Sequence, residues 1–164
     1  MTPLEQRYRS TLARIAAAAP DREITLLAVS KTQPAAAVAA LAALGQRAFG
    51  ENYVQEALAK MRELAALKLE WHLIGPLQSK KCKEVAQHFD WLQSLDRAKL
   101  VPLLARHRPA EREPLNVLIQ VNIDDETSKS GVAPAEIADL ADLVARTQGL
   151  RLRGLMAIPH PWPE

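Results

Sequence analysis

A single cysteine, Cys82, leaves no partner for an internal disulfide and excludes any CxxC zinc or redox motif. The four histidines, His72, His88, His107 and His160, are scattered without an HExxH pair, so no metal framework is legible. Only six glycines occur, at positions 45, 50, 75, 131, 149 and 154, and they spell neither GxGxxG nor a P-loop. No apolar run exceeds the length of Ala35 to Leu44, far short of the ~20 residues a spanning helix needs. The N-terminus carries Glu5, Arg7 and Arg9 and has no apolar signal core, so a cytoplasmic protein without a membrane partner is expected. Twenty-one basic against nineteen acidic residues give a net charge of +2, too small to suggest a nucleic-acid partner without a local patch. The best patch, Lys80, Lys81 and Lys83, reads first as a solvated helix face and second as a phosphate contact.

What the 164 residues do contain is an ordinary globular composition, 48% apolar and 24% charged, with length for one domain over residues 1–164. Strand-length apolar runs alternate with helical patterns. Thr2, Pro3 and Glu5 open a helix from Pro3 to about Ala19, with Leu4, Tyr8, Leu12 and Ile15 on one face. Strands are expected over Ile24 to Lys31, Ala48 to Glu51, Glu70 to Gly75, Trp91 to Leu95, Asn116 to Ile123 and Leu150 to Ile158. Between them lie helices from Pro34 to Leu44, from a cap at Asn52 with Val54, Leu58, Met61 and Ala65 on one face, from Ser79 to His88, from a cap at Asp96 to Arg106, and from Pro134 to Thr147. Arg106 and Arg108 complement the dipole at the end of the fifth helix, where Pro109 blocks continuation.

Six successive βα-type strands argue for a parallel α/β fold. A doubly wound sheet and a (β/α) barrel both fit the periodicity, and the missing phosphate-binding glycine motif weighs against the nucleotide-binding folds. A barrel normally takes ~250 residues, so this chain would hold about six of the eight strands. Functional groups of such folds gather at the C-terminal ends of the strands. Polar residues stand there: Lys31, Glu51, Asn52, Asp96, Asn122 and Asp124. Asn52 and Asp96 are accounted for as helix caps. Lys31 follows Leu27 and Val29 on one strand face, which would carry its ammonium toward an apolar interior. An ordinary lysine, pKa roughly 10.4, is neutral in only ~1 molecule in 2,500 at pH 7. Desolvation raises that share, and a neutral amine attacks carbonyls to give an imine. The other reading has Lys31 snorkelling to the rim as a plain charge.

The segments LLAVSKTQP, FGENYVQE, WHLIGPLQSKK, NVLIQVNIDDETSKSGV and LRGLMAIP resemble, in order and at matching spacing, the YggS/PROSC family of pyridoxal-phosphate homeostasis proteins. Lys80 departs from the family, which has Asn in that segment. The resemblance implies a TIM-type parallel (β/α) barrel like the N-terminal domain of alanine racemase, with pyridoxal 5'-phosphate held as an imine on Lys31 and with Asn52 and Met156 near the cofactor. His72 matches a family motif but reads as a satisfied core histidine, and Lys129, Ser130 and Gly131 match a family loop that a solvated turn also explains. The implied role is non-catalytic: holding and buffering pyridoxal phosphate and handing it on, possible acceptors being apo enzymes that use it. Two alternatives remain, an amino-acid racemase with Tyr53 as the one conceivable second acid, and a Schiff-base aldolase barrel. Six units at about 25 residues each use up the chain. A C-terminally truncated member is therefore expected, lacking the family's phosphate-binding Ser-Met-Gly-Met-Ser and Arg-x-Gly segments and with two strand edges unpaired.

Overall fold

The computed structural model describes residues 1–124 and 130–161. Six strands form one parallel sheet in the order β1-β2-β3-β4-β5-β6: Ala28–Val29, Ala48–Glu51, Glu70–Leu73, Trp91–Leu95, Leu115–Val121 and Leu150–Ala157. Each strand pairs with its immediate successor. A doubly wound sheet reverses direction at a switch point; this order never reverses. It is the winding of a TIM-type (β/α) barrel, with six of its eight units present.

Helices α1 (Pro3–Ala18), α2 (Ala35–Ala43), α3 (Val54–Glu63), α4 (Cys82–His88), α5 (Leu100–His107) and α6 (Ile137–Arg146) alternate with the strands. Val38, Ala57, Val85, Leu104 and Val144 from α2 to α6 join Phe49, Leu73, Leu92, Val117 and Ile119 from the sheet in one buried cluster. That cluster lies between the outer face of the sheet and the helices. The inner face carries the alternate residues.

Several ends differ from their sequence signals. β1 keeps only two residues of the expected eight. Upstream pairing would need the stretch before Ala48, but Gly45 turns there at φ 106°, and the Gln46 side chain binds the Leu26 carbonyl instead (2.7 Å). Thr2 caps α1 through the Glu5 N–H (3.2 Å), while the Glu5 carboxylate turns to Arg9 rather than completing a box. Asn52 is not a cap: α3 starts from Tyr53, without a side-chain capping bond. The buried face of α3 is Val54, Ala57 and Lys60, so the apolar stripe is rotated from the expected one and includes a lysine. Asp96 is not a cap either, since α5 begins four residues later. Its carboxylate instead accepts from Gly131 N–H (3.3 Å), tying the end of β4 to the loop after β5. Arg108 serves a neighbouring helix rather than its own. Its Nη1 donates to the Ala86 and Phe89 carbonyls at the end of α4 (2.8 Å each), and Nε and Nη2 donate to the Glu113 carbonyl. Burial, with Arg112 close by, pushes the Arg108 guanidinium down to about 10.

Candidate functional site

At the C-terminal ends of β2, β3, β5 and β6 a cleft of about 280 Å³ opens among Asn52, Gly75, Gln120, Asn122, Ser130 and the apolar side chains around them. None of the residues lining it is charged. The cleft exists because two loops close in without side chains. A Cβ on Gly75 would stand 2.5 Å from the Asn52 carbonyl oxygen, and one on Gly131, at φ +121°, would stand 2.6 Å from the Asn122 nitrogen. Ser94 Oγ donates to the Gly75 carbonyl (2.6 Å), and Arg97 donates to the Leu77 carbonyl, so β4 and its loop fasten the segment after β3. On the other side Val132 pairs with Val121, and Asn122 N–H donates to the Val132 carbonyl (2.9 Å).

The expected site residues separate into three groups. Asn52, half-buried, lines the cleft. Met156, also half-buried, lies beside it, since it is the register partner of the cleft residue Gln120. Lys31 stands on the same rim, in the turn after β1, but does not line the cleft and is exposed. Of the two readings of Lys31, a charge at the rim and an ammonium buried among apolar groups, the structure has the exposed rim position, and Val29 on the same strand face is 52% exposed. Glu51 turns to the outer face, away from the cleft, and Asp124 accepts from the backbone of His160 (2.8 Å). Ser130 lines the cleft, Gly131 packs against the backbone of Val121 and Asn122 beside it, and Lys129 lies outside the described residues.

Below the cleft the inner face is polar where barrels usually carry branched apolar residues. His72 is buried between Glu70 (Nε2 to Oε1, 2.7 Å) and Gln93 (Nδ1 to Nε2, 2.9 Å) and stacks on Trp91 at 5.1 Å. The Gln93 amide N–H₂ must donate, so Nδ1 accepts and Nε2 carries the proton toward Glu70. The ring is satisfied as a neutral base, and burial holds its pKa below the ordinary value despite the carboxylates of Glu70 and Asp90. Arg153 lies over the other partner of this layer, 4.9 Å from the Trp91 ring, and donates to Asn116 Oδ1 (3.1 Å). The histidine is thus a core residue, as its sequence position suggested. Lys80 and Lys83 are exposed, and Lys81 pairs with Glu84 at 3.6 Å, the arrangement of a solvated helix face. Cys82 is buried and its thiol is pushed up by burial, which makes it unreactive.

Gln120 and Gly75 escaped the sequence reading. Gln120 sits inside a strand whose pattern reads as uniformly core-forming, and nothing local distinguishes Gly75 from a turn glycine. Lys60 had a signal, a cation in the i, i+3 stripe of an amphipathic helix with Glu56 one turn before it.

Comparison with known proteins gives this geometry a family. The model of the alanine racemase N-terminal domain matches residues 5–160. The pyridoxal phosphate homeostasis protein of Escherichia coli K12 is 59% identical over 145 residues, 87% of this chain and 62% of the relative. The protein of that name from Pseudomonas aeruginosa is 52% identical over 169 residues, 100% of this chain and 74% of its own length. The chain therefore spans between about three fifths and three quarters of these relatives. Among solved structures, PipY of Synechococcus elongatus, determined with PLP bound, superposes with a TM-score of 0.75 at 38% identity, covering 90% of this chain and 69% of PipY. The alanine racemase of E. faecalis superposes with a TM-score of 0.71 at 17% identity over 94% of this chain and 41% of its own, a likeness of fold alone. With the family model matching almost end to end and the homeostasis proteins far closer than the racemases, the chain belongs to the alanine racemase N-terminal domain family, among its pyridoxal phosphate homeostasis proteins.

Proposed function

We propose that this chain binds pyridoxal 5'-phosphate through Lys31 and buffers it in the cytoplasm, releasing it to acceptors such as apo enzymes that use it, without turning over a substrate of its own. The observation that carries this is the exposed Lys31 amine on the rim of an uncharged, hydrogen-bonding cleft at the C-terminal end of the sheet. The cofactor supplies an aldehyde carbon that an amine attacks with loss of water, giving a Schiff base. The residues present suit the ring of such a guest. Asn52, Gln120 and Asn122 carry carboxamides and Ser130 a hydroxyl, groups that bind ring and phenolic polar atoms without competing for the aldehyde as an amine would. Ile74, Val121 and Ile158 supply apolar contact, and the volume is at the small end of ligand clefts. Exposure favours exchange: an amine on the rim can both take up the aldehyde and give it to another amine arriving from solvent. The single, buried cysteine suits a reducing compartment.

Racemisation would need a second acid facing the cofactor across from Lys31. Tyr53, the one tyrosine near the site, is 61% exposed and does not line the cleft but an adjoining groove that shares Asn52 and Pro76 with it. That supports a carrier over a racemase. Borohydride reduction of the chain with pyridoxal phosphate, followed by peptide mass mapping, is expected to place the pyridoxyl group on Lys31, and Lys31→Ala is expected to lose it while remaining folded. An adduct mapping to Lys80 or Lys129 instead would overturn the assignment.

A further inference from the structure

The two residues flanking Lys31 are both held by a buried ionic cluster outside the cleft. Lys60 Nζ donates to the Ser30 carbonyl (2.6 Å), to Glu51 Oε1 (2.6 Å) and to Glu56 Oε1 (2.8 Å), which uses all three donors of the ammonium. Ser30 Oγ donates to Glu51 Oε1 (2.6 Å), and Thr32 N–H donates to Glu56 Oε1 (2.6 Å). The carbonyl before Lys31 and the amide after it are thus both tied to α3.

Stability alone is a poor account of this cluster. Glu51 is wholly buried, Lys60 is 6% exposed, and Glu51 Oε2 has no hydrogen-bond partner. The Glu51 carboxylate and the Lys60 ammonium in such a place cost desolvation that a packed apolar group would not incur, while Glu56 closes the cluster from its partly exposed edge. What the cluster does supply is direction, because charge-assisted hydrogen bonds fix both distance and angle. The turn needs that. Thr32 has φ 62°, a left-handed conformation that a β-branched residue adopts only where its surroundings hold it. The bond from Thr32 N–H to Glu56 is such a hold. β1 pairs with β2 over only two residues, so that ladder does little to fix the turn that follows.

We infer that Glu56 and Lys60 are positioning residues that hold the strained Ser30–Thr32 turn so that the Lys31 amine is presented at the cleft rim. The inference rests on Lys31 being the point of attachment. Lys60 anchors the incoming side of the turn and Glu56 the outgoing side, with Glu51 fixing Lys60 and Ser30 together. Without Glu56 the Thr32 backbone can relax to negative φ, which swings Lys31 away from its alignment.

The test uses the 164-residue chain with Glu56→Ala, Glu56→Asp and Glu56→Gln, with Glu63→Ala, an exposed position on the same helix, as control. Two quantities are read: hydrogen exchange of the Thr32 amide without ligand, and the equilibrium constant for the borohydride-trappable adduct with pyridoxal phosphate. Glu56→Ala is expected to speed Thr32 exchange and to weaken adduct formation, each by about tenfold. Glu56→Asp keeps the charge but lacks the reach, and is expected to behave like Glu56→Ala. Glu56→Gln keeps an acceptor oxygen in place and is expected to stay within about threefold of the parent chain. Thr32 exchange is read without any cofactor, so it tests the hold on the turn separately from binding. Wild-type-like adduct formation in Glu56→Ala, or a loss in Glu56→Gln as deep as in Glu56→Ala, would overturn the inference while leaving Lys31 as the attachment point. A parent chain whose adduct maps away from Lys31 would overturn both.

Discussion

Replacing Lys60 by Met removes one cation from among three oxygens, those of Ser30, Glu51 and Glu56, all within 2.8 Å of Nζ. Burial alone would depress the Lys60 ammonium, but its hydrogen bonds to Glu51 and Glu56 outweigh that and hold it above the ordinary lysine range. The same Lys60 bond holds the Glu56 carboxyl below the usual carboxylate range. Methionine fills much of the lysine stem's volume, so little of the effect comes from a cavity. The loss is electrostatic: Glu51, without any solvent contact, loses its counter-ion. Removing one partner of a buried pair costs ~3–5 kcal/mol, which for a chain of this size lowers the melting temperature by roughly 10 °C. The double variant Lys60→Met, Glu51→Leu removes both charges and is expected to recover all but ~1–2 kcal/mol of that loss, because the desolvation of both ions disappears with them. Urea unfolding followed by tryptophan fluorescence measures all three chains. The sign in pH follows from the two shifts. The Glu56 contribution is present above its unfolded pKa of about 4.3 and is lost as pH falls further, and the Lys60 contribution is present below about 10.4 and is lost as pH rises further. Both contributions are therefore expected to be present in full between about pH 5 and 10. A loss below ~1 kcal/mol at neutral pH, or a double variant no better than the single one, would refute the reasoning that the buried carboxylate sets the cost.

His72 is held neutral in the folded chain, so the unfolded state binds the extra proton first. Stability is expected to be complete above the unfolded value of about 6.5 and to fall as pH drops below it; His72→Phe should flatten that limb of a pH series of melting curves, and an unchanged slope would show that another group titrates. Gly75→Ala places a methyl group 2.5 Å from the Asn52 carbonyl oxygen and is expected to cost ~1–3 kcal/mol while displacing Asn52 from the cleft, which amide chemical shifts of the loops after β2 and β3 would detect. A Gly75→Ala chain with parent stability and unmoved shifts would show that these loops yield easily.

The strand and helix succession was legible in sequence because each element carries its own period. Ala48–Glu51 and Trp91–Leu95 have the very bounds that their apolar runs and flanking polar residues marked. Ends that depend on a partner strand were not legible, and β1 is the instance. Its apolar run of eight residues reads as a strand, but a ladder needs a facing strand, and only two residues find one. Barrel against doubly wound sheet is likewise a matter of which strands lie side by side. Local periodicity is the same for both; the order was settled only by the tertiary pairing.

Asn52 and Asp96 are the clearest residues that local rules misassigned. Each stands where a cap would stand, yet one lines the cleft and the other reaches the backbone of Gly131, thirty-five positions away. Lys31 was found by its place at a strand end and by the segments around it, because a strand's C-terminal end in a parallel fold is fixed by direction alone. Its exposure was not, since burial depends on which strands flank β1. The sequence by itself determined the succession of elements, the family and the lysine on the rim. The tertiary structure decided what surrounds that lysine: a neutral cleft built by two close-approaching glycines, and a buried Lys60, Glu51 and Glu56 cluster that grips its turn. Neither is a property of any one segment, because the cleft gathers residues from 52 to 158 and the cluster ties the turn at 30–32 to residues 51, 56 and 60.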